Sequence, residues 1–314
     1  MEGNRDKVSL LTKRQKGSAD PLAERKKDRV NLLTIPGLVI VIVVTQVPFA
    51  VTICLSLVNW NIRRPDLPIS FAGLANFSYV LTSSDFFTAV GNTFVITLGA
   101  LAIAAVLGFA LALAFSRKFP GITIARSLLV MPFFVMEPVI GIVWKTLILS
   151  PTFGLTAVFF QAVGMAPVSF LGAANARLTI IALCAWQWTP FLFLILLSGL
   201  QGLSEDVLES AKLDGAGWWR LIWHFKIPLT MPYFKVAGMY GLINLLKVFG
   251  IIYVTTQGGP GVASANLPYY VYRTGFYEWQ AGRAAAVSVL MVVLILIGIN
   301  VFFRFQGNPL RRGA

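Results

Sequence analysis

Apolar positions run unbroken along most of this chain, without the regular alternation that marks a half-buried strand. Residues 38–58, 86–115, 178–203 and 284–303 carry no charge at all. Residues 127–144 are interrupted only by Glu137, and residues 229–254 only by Lys235 and Lys247. A helix that crosses a bilayer needs about 20 mostly apolar residues, so the pattern predicts six transmembrane helices. The breaks between them are uneven. Residues 59–85 form a polar excursion, and residues 150–177 are rich in Pro, Gly and small side chains, with a short helix expected over 155–163. The first apolar run is too long for a signal peptide and ends in no small-residue cleavage site, so it is expected to be retained as a span.

One polar island stands apart. Residues 203–232, LSEDVLESAKLDGAGWWRLIWHFKIPLTMP, hold Glu205, Asp206, Glu209 and Asp214 together with His224, the only histidine. Ser204 can cap a helix N-terminus, where Glu205 and Asp206 would favour the positive end of the dipole. Asp214-Gly215 predicts a turn, because glycine takes positive φ without steric cost. Trp218, Trp219, Leu221, Ile222, Trp223 and Phe225 then begin a second helical piece, and Pro228 and Pro232 mark the return to an apolar run.

Composition agrees with a membrane protein. Hydrophobic residues make up 57% and charged residues 12%, about half the charged share of a soluble domain. The net charge of +13 does not call for nucleic acid, because nine of the 26 basic residues lie in the first 29 positions beside five acidic ones. Residues 1–30 are therefore expected to form a basic, disordered tail, followed by a membrane domain over 31–306 and a short tail over 307–314. Six spans put both ends on one side. The tail, Arg117, Lys118, Arg126, the polar island and the C-terminal arginines all fall there, which the positive-inside rule makes cytoplasmic. Cys54 and Cys184 lie far apart in apolar runs and make neither a disulfide framework nor a metal site. No phosphate-cradling Gly-rich loop is present, and neither cofactor nor metal is expected.

The island carries a family pattern. Glu209-Ser210-Ala211-x-x-Asp214-Gly215-Ala216, followed by Pro228 and Pro232, resembles the EAA motif of binding-protein-dependent ABC importer permeases. Thr256-Gln257-Gly258-Gly259-Pro260, then Tyr272-x-x-x-Phe276 and Gly282, resembles the larger-subunit type of the carbohydrate branch, the relatives of maltose and glycerol-phosphate permeases. Asn92-Thr93 and Phe71-x-Gly73-Leu74-x-Asn76-Phe77 also fit, and the likeness covers roughly residues 30–306. The sequence departs from the pattern where Ser210 stands for the second Ala, Gln257 for the usual first glycine, and Gly250 where many relatives carry Asp.

The resemblance implies a type I ABC importer permease in a bacterial inner membrane, with a cytoplasmic coupling-helix loop. Its partners would be an ABC ATPase dimer, a second permease in a heterodimer, an extracytoplasmic solute-binding protein and membrane lipid. It would hydrolyse nothing itself. Coupling would rest on Glu209, Ala211, Asp214, Gly215, Ala216 and Pro228. By the same resemblance the substrate would be lined by Phe133 and Glu137 in the third span. Cys184, Gln187, Trp188 and Phe191 would line it from the fourth, and Gly241, Asn244, Leu245 and Val248 from the fifth. Aromatic faces suit the C–H faces of a sugar or polyol, and Glu137, Gln187 and Asn244 could take its hydroxyls. An intramembrane carboxylate is expensive and is usually functional or paired, so Glu137 stands equally for substrate contact and for an ion pair with Lys247 or Lys145. Cys184 is most simply a small packing residue. The stretches 186–191 and 246–254 resemble mannitol/sorbitol permeases.

Two other classes compete. A stand-alone six-span transporter would need no ATPase-docking loop. A membrane enzyme would need partners for His224, and none stands at triad-like spacing.

Overall fold

A computed structural model describes residues 21–305 apart from Pro65 and Lys118; side chains are described for residues 34–304 with the same exceptions. The sequence expectations for residues 1–20 and 306–314 lie outside the described residues. The chain divides into two compact units, residues 1–54 and 55–314.

The first unit is dominated by helix α1, Pro21–Ser56. It begins inside the stretch expected to be a disordered tail, so residues 21–30 are helical. Thr45 and Thr52 donate their hydroxyls to the carbonyls of Val41 and Pro48 at 2.7 and 2.9 Å, which satisfies both groups within the helix, as an apolar surrounding requires.

In the second unit a short ribbon pairs β1, Val58–Asn59, with β2, Ser70–Phe71. Helices α2, Ala75–Thr82, and α3, Ser84–Phe115, follow. Asn76 holds the ribbon by donating from Nδ2 to the carbonyls of Ser56 and Val58, both at 2.9 Å. The expected third span is bent. It consists of α4, Ile122–Phe134, and α5, Glu137–Val143, which continues through a π turn at Trp144–Ile148. The two pieces meet at 99°. The short helix expected over 155–163 is present as α6, Leu155–Ala162, and the fourth span as α7, Ala176–Gln201.

Helices α8, Glu205–Leu213, and α9, Trp218–Leu221, form the polar island. A π turn at Ile222–Lys226 joins α9 to α10, Ile227–Leu245. The expected fifth span then breaks, and α11 resumes at Gly250–Thr255. After α12, Leu267–Tyr272, and a further π turn at Arg273–Tyr277, α13 occupies Ala281–Phe305.

Among the described residues four helical stretches are long and apolar enough to cross a membrane: Thr34–Ser56, Ser84–Phe115, Ala176–Gln201 and Ala281–Arg304. The bent pair makes a fifth if it is one span. The expected fifth span, which holds helix α10, falls short of that measure. Pro228, Pro232, Tyr233, Lys235, Tyr240 and Asn244 dilute its apolar content, as suits a helix that is not wholly turned to lipid. Helix α7 is the central element: 67% of its apolar window is buried, against 11% for α13. It packs most extensively on α3, and Phe193, Leu192 and Leu196 at their contact are almost fully enclosed.

Candidate functional site: a coupling loop and two facing helix breaks

The polar island folds as a helix–turn–helix. Helix α8 starts at Ser204 with Glu205 and Asp206 in its first turn, as expected from the dipole, but the Ser204 side chain makes no capping hydrogen bond. Ala211 is buried, while Glu209 and Asp214 are exposed. Gly215 closes the helix at φ +81°, a left-handed conformation that costs an L side chain about 1–2 kcal/mol. The backbone N–H of Ala216 returns to the Ala211 carbonyl at 2.9 Å. Leu213, Trp218, Trp219 and Trp223 then stand out from the surface, Leu213 at 89% exposure.

The second piece of the island does not end at Pro228. Pro228 has no N–H to donate, and the π turn absorbs this: the Ile227 N–H reaches back to the Ile222 carbonyl and the helix runs on. Helix α9, the π turn and α10 are therefore one continuous rod.

Deeper in the helical bundle, the two broken spans face each other. Val135 and Met136 are extended between α4 and α5, and residues 246–249 part α10 from α11. A break inside a bilayer leaves backbone groups without intrahelical partners, and each must be met by protein. Glu137 Oε2 accepts the N–H of Gly250 at 2.7 Å and of Phe249 at 3.2 Å. Gln187 Nε2 donates to the Val135 carbonyl at 3.0 Å, and Asn266 Nδ2 donates to the Val248 carbonyl. Glu137 makes neither of the ion pairs the sequence suggested. Among the described residues Lys247 forms no salt bridge, and Lys145 Nζ donates to the Val254 carbonyl at 3.0 Å.

The remaining residues expected around a substrate separate into two groups. Phe133, Trp188 and Phe191 come together, with ring centroids 5.3–5.7 Å apart. Tyr240 completes this platform, 4.9 Å from Phe191 and 6.2 Å from Trp188. Asn244 lies one helical turn further along α10 and donates to the Tyr240 carbonyl. Cys184, Leu245 and Val248, in contrast, are enclosed in the core, and Gly241 is buried where a Cβ would lie 2.9 Å from Leu101. In this conformation those four line no open space. A recess of about 660 Å³ opens instead on the opposite face of α7, beside Leu107, Leu111, Pro132, Trp186 and Pro190.

Residues 104–308 match the family of binding-protein-dependent transport system inner membrane components. The chain belongs to this family. This permease is 32% identical to a probable ABC transporter permease protein of Sinorhizobium fredii, over 93% of the chain and 96% of the relative. It is 31% identical to the trehalose/maltose transport system permease protein of Thermococcus litoralis, over 87% of the chain and 92% of that protein. The sn-glycerol-3-phosphate transport system permease protein of Agrobacterium fabrum is 30% identical over 79% of the chain and 84% of its own length. In fold, the permease superposes on a bacterial ABC transporter involved in the import of alginate with a TM-score of 0.74. That match, at 20% identity, covers 93% of the chain and 99% of the other.

Two residues of this region, Tyr240 and Asn266, escaped the sequence, and Gly250 was noted only as a departure from the family pattern. Tyr240 gave a signal in its spacing from Asn244, one turn away on the same face. The contacts of Asn266 and Gly250 gave none, because their partners lie 18 and 113 positions away.

The Asn92-Thr93 pair anchors residues 262–267. Asn92 Nδ2 donates to the carbonyls of Val262, Ala263 and Ala265, and Thr93 Oγ1 accepts the Leu267 N–H at 2.8 Å. Gln257, standing where relatives of the resembled type carry glycine, adopts φ +51°.

Proposed function

We propose that this chain is the larger membrane subunit of an ATP-driven carbohydrate importer, receiving a sugar or sugar alcohol from an extracytoplasmic binding protein and passing it inward by alternating access. The carrying observation is the coupling loop: an exposed Glu209, a left-handed Gly215 and an apolar rim at Leu213 and Trp218, on a rod continuous with helix α10. Glu209 would pair with a cation of a partner ATPase while the apolar rim fills its cleft. ATP-driven closure of that partner would swing the rod and with it the helix that carries Tyr240 and Asn244. The loop side of the membrane, with both termini, would be cytoplasmic, and a second, non-identical permease would complete the pathway.

A carbohydrate cargo is supported by the aromatic platform of Phe133, Trp188, Phe191 and Tyr240, which offers ring faces to C–H groups. Gln187 Oε1 is buried beside it without a hydrogen-bond partner, an acceptor suited to a hydroxyl. The named relatives carry trehalose/maltose and glycerol-3-phosphate. A phosphorylated cargo is disfavoured because no Lys or Arg belongs to the lining set, which leaves neutral sugars and polyols such as mannitol or sorbitol.

Co-purification with the partner ATPase tests the coupling role. Gly215→Asp is expected to abolish co-purification, while the variant still inserts in the membrane. Retention of the ATPase by that variant would overturn the docking role and favour a stand-alone transporter. Thermal-shift screening of the cognate binding protein against sugars, polyols and glycerol phosphate then identifies the cargo, and stabilisation by glycerol phosphate alone would overturn the neutral assignment.

A further inference from the structure

A cleft of about 470 Å³ lies at the end of the bundle that carries the coupling loop, bounded by Ser116, Ile122, Arg126, Gln201, Glu205 and Lys226. Its walls sit where helices leave the apolar layer: Ser116 follows α3, Gln201 ends α7, and Lys226 precedes α10. Ile122 and Glu205, which both border the cleft, are the first residues of α4 and α8, and helix N-termini favour anions.

The charges there are poorly compensated. One Nη of Arg126 donates to the Phe115 carbonyl at 2.6 Å, while its Nε is buried without a partner. Among the described residues neither Arg126 nor Lys226 forms an ion pair, and the Glu205 carboxylate, which also borders the cleft, bridges to neither. Burial lowers the Lys226 pKa below the ordinary lysine value, and the nearby charges of Arg117 and Lys212 lower it further. Cations crowded into a half-buried cleft at a bilayer edge attract a phosphate group.

We propose that this cleft is a phosphate-binding site occupied by the headgroup of an anionic phospholipid, wedged between α4, α7 and the first turn of the coupling helix α8. A free phosphate would satisfy the same charges, but the level of the cleft at the ends of the membrane helices favours the lipid. A lipid so placed would brace the coupling loop against the membrane end of the bundle. This site is distinct from the aromatic platform, and on helix α8 it lies one turn from Glu209.

The assembled complex, purified in uncharged detergent, is titrated with phosphatidylglycerol and with phosphatidylcholine and read by native mass spectrometry. The expected result is preferential binding of phosphatidylglycerol that weakens roughly ten- to thirty-fold in Arg126→Gln/Lys226→Gln, at about 1 kcal/mol per basic group. Lys226→Gln alone should give an intermediate loss, with the complex still assembled. Equal binding of the two lipids, or equal binding by wild type and double variant, overturns the proposal. So does complete displacement by millimolar inorganic phosphate, which would identify a soluble anion site. Binding of phosphatidylglycerol only after the ATPase is stripped away would likewise overturn it, by making the cleft a seat for an acidic partner side chain.

Discussion

Glu137 closes against Gly250: its Oε2 accepts the Gly250 N–H at 2.7 Å, and a Cβ on Gly250 would lie 2.8 Å from Glu137 Cβ. The contact needs both an acceptor oxygen at position 137 and a missing side chain at position 250. It ties the break in one span to the break in another, so parting those spans during transport requires new partners for the Phe249 and Gly250 N–H groups or for Glu137. Gly250→Ala is expected to destabilise the subunit by about 1–3 kcal/mol through overpacking, measured by thermal unfolding of the complex. Glu137→Ala should cost a similar 1–3 kcal/mol by stranding two buried donors, whereas Glu137→Gln keeps an acceptor and should cost less. If Gln and Ala are equally damaging to stability, the backbone contact is not what holds the site.

Stability and transport can also be separated at that position. Under the proposed function, Glu137→Gln assembles normally and loses uptake. Normal uptake by that variant would remove Glu137 from the cargo's path.

Tyr240 belongs to the aromatic platform although the family resemblance did not include it. Tyr240→Ala is expected to raise the half-saturation concentration for uptake several-fold, at about 0.5–1.5 kcal/mol for a lost aromatic pairing. ATPase stimulation by the unliganded binding protein should stay unchanged. A fall in that stimulation instead would assign Tyr240 to the rod's mechanics.

Gln257 bears a left-handed conformation after α11. Gln257→Gly removes a strain of about 1–2 kcal/mol at an unfolded-state entropy cost of about 0.5–1 kcal/mol. The net expectation is a small gain in melting temperature, with Gln257→Val, β-branched, clearly destabilising. A loss on Gln257→Gly would mean that the side chain itself makes a contact worth more than the strain.

Lys226 predicts a pH dependence. Its folded pKa lies below the unfolded value, chiefly through burial and then through Arg117 and Lys212. The unfolded chain therefore binds more protons between those two values, and stability rises with pH across the alkaline window just below the ordinary lysine pKa. Lys226→Met should abolish that rise. An unchanged pH profile of unfolding in the variant would show that Lys226 is not its source.

Much of this protein was legible before any coordinates. Uninterrupted apolar runs predict membrane helices because a bilayer span tolerates few charges, and α3, α7 and α13 follow those runs closely. The coupling loop was legible for a different reason. Its helix, its Gly215 turn and its acidic first turn depend on neighbours a few residues apart, so a short motif specifies them locally.

The breaks could be read only in three dimensions. Residues 127–144 and 229–254 look like ordinary spans because composition alone does not report where hydrogen bonding stops. Stopping there is tolerable only because Glu137, Gln187 and Asn266, from three different segments, supply the missing backbone partners. The same holds for the lining residues. Their family positions were legible, but tertiary packing decided that Cys184, Leu245 and Val248 lie inside the closed core while Tyr240 joins the platform. Polar island, turn and spans were thus properties of sequence, since each is satisfied by its near neighbours. The facing breaks and the Glu137–Gly250 contact belong to the tertiary structure, since their backbone groups are satisfied by side chains from other segments, 18 to 113 positions away.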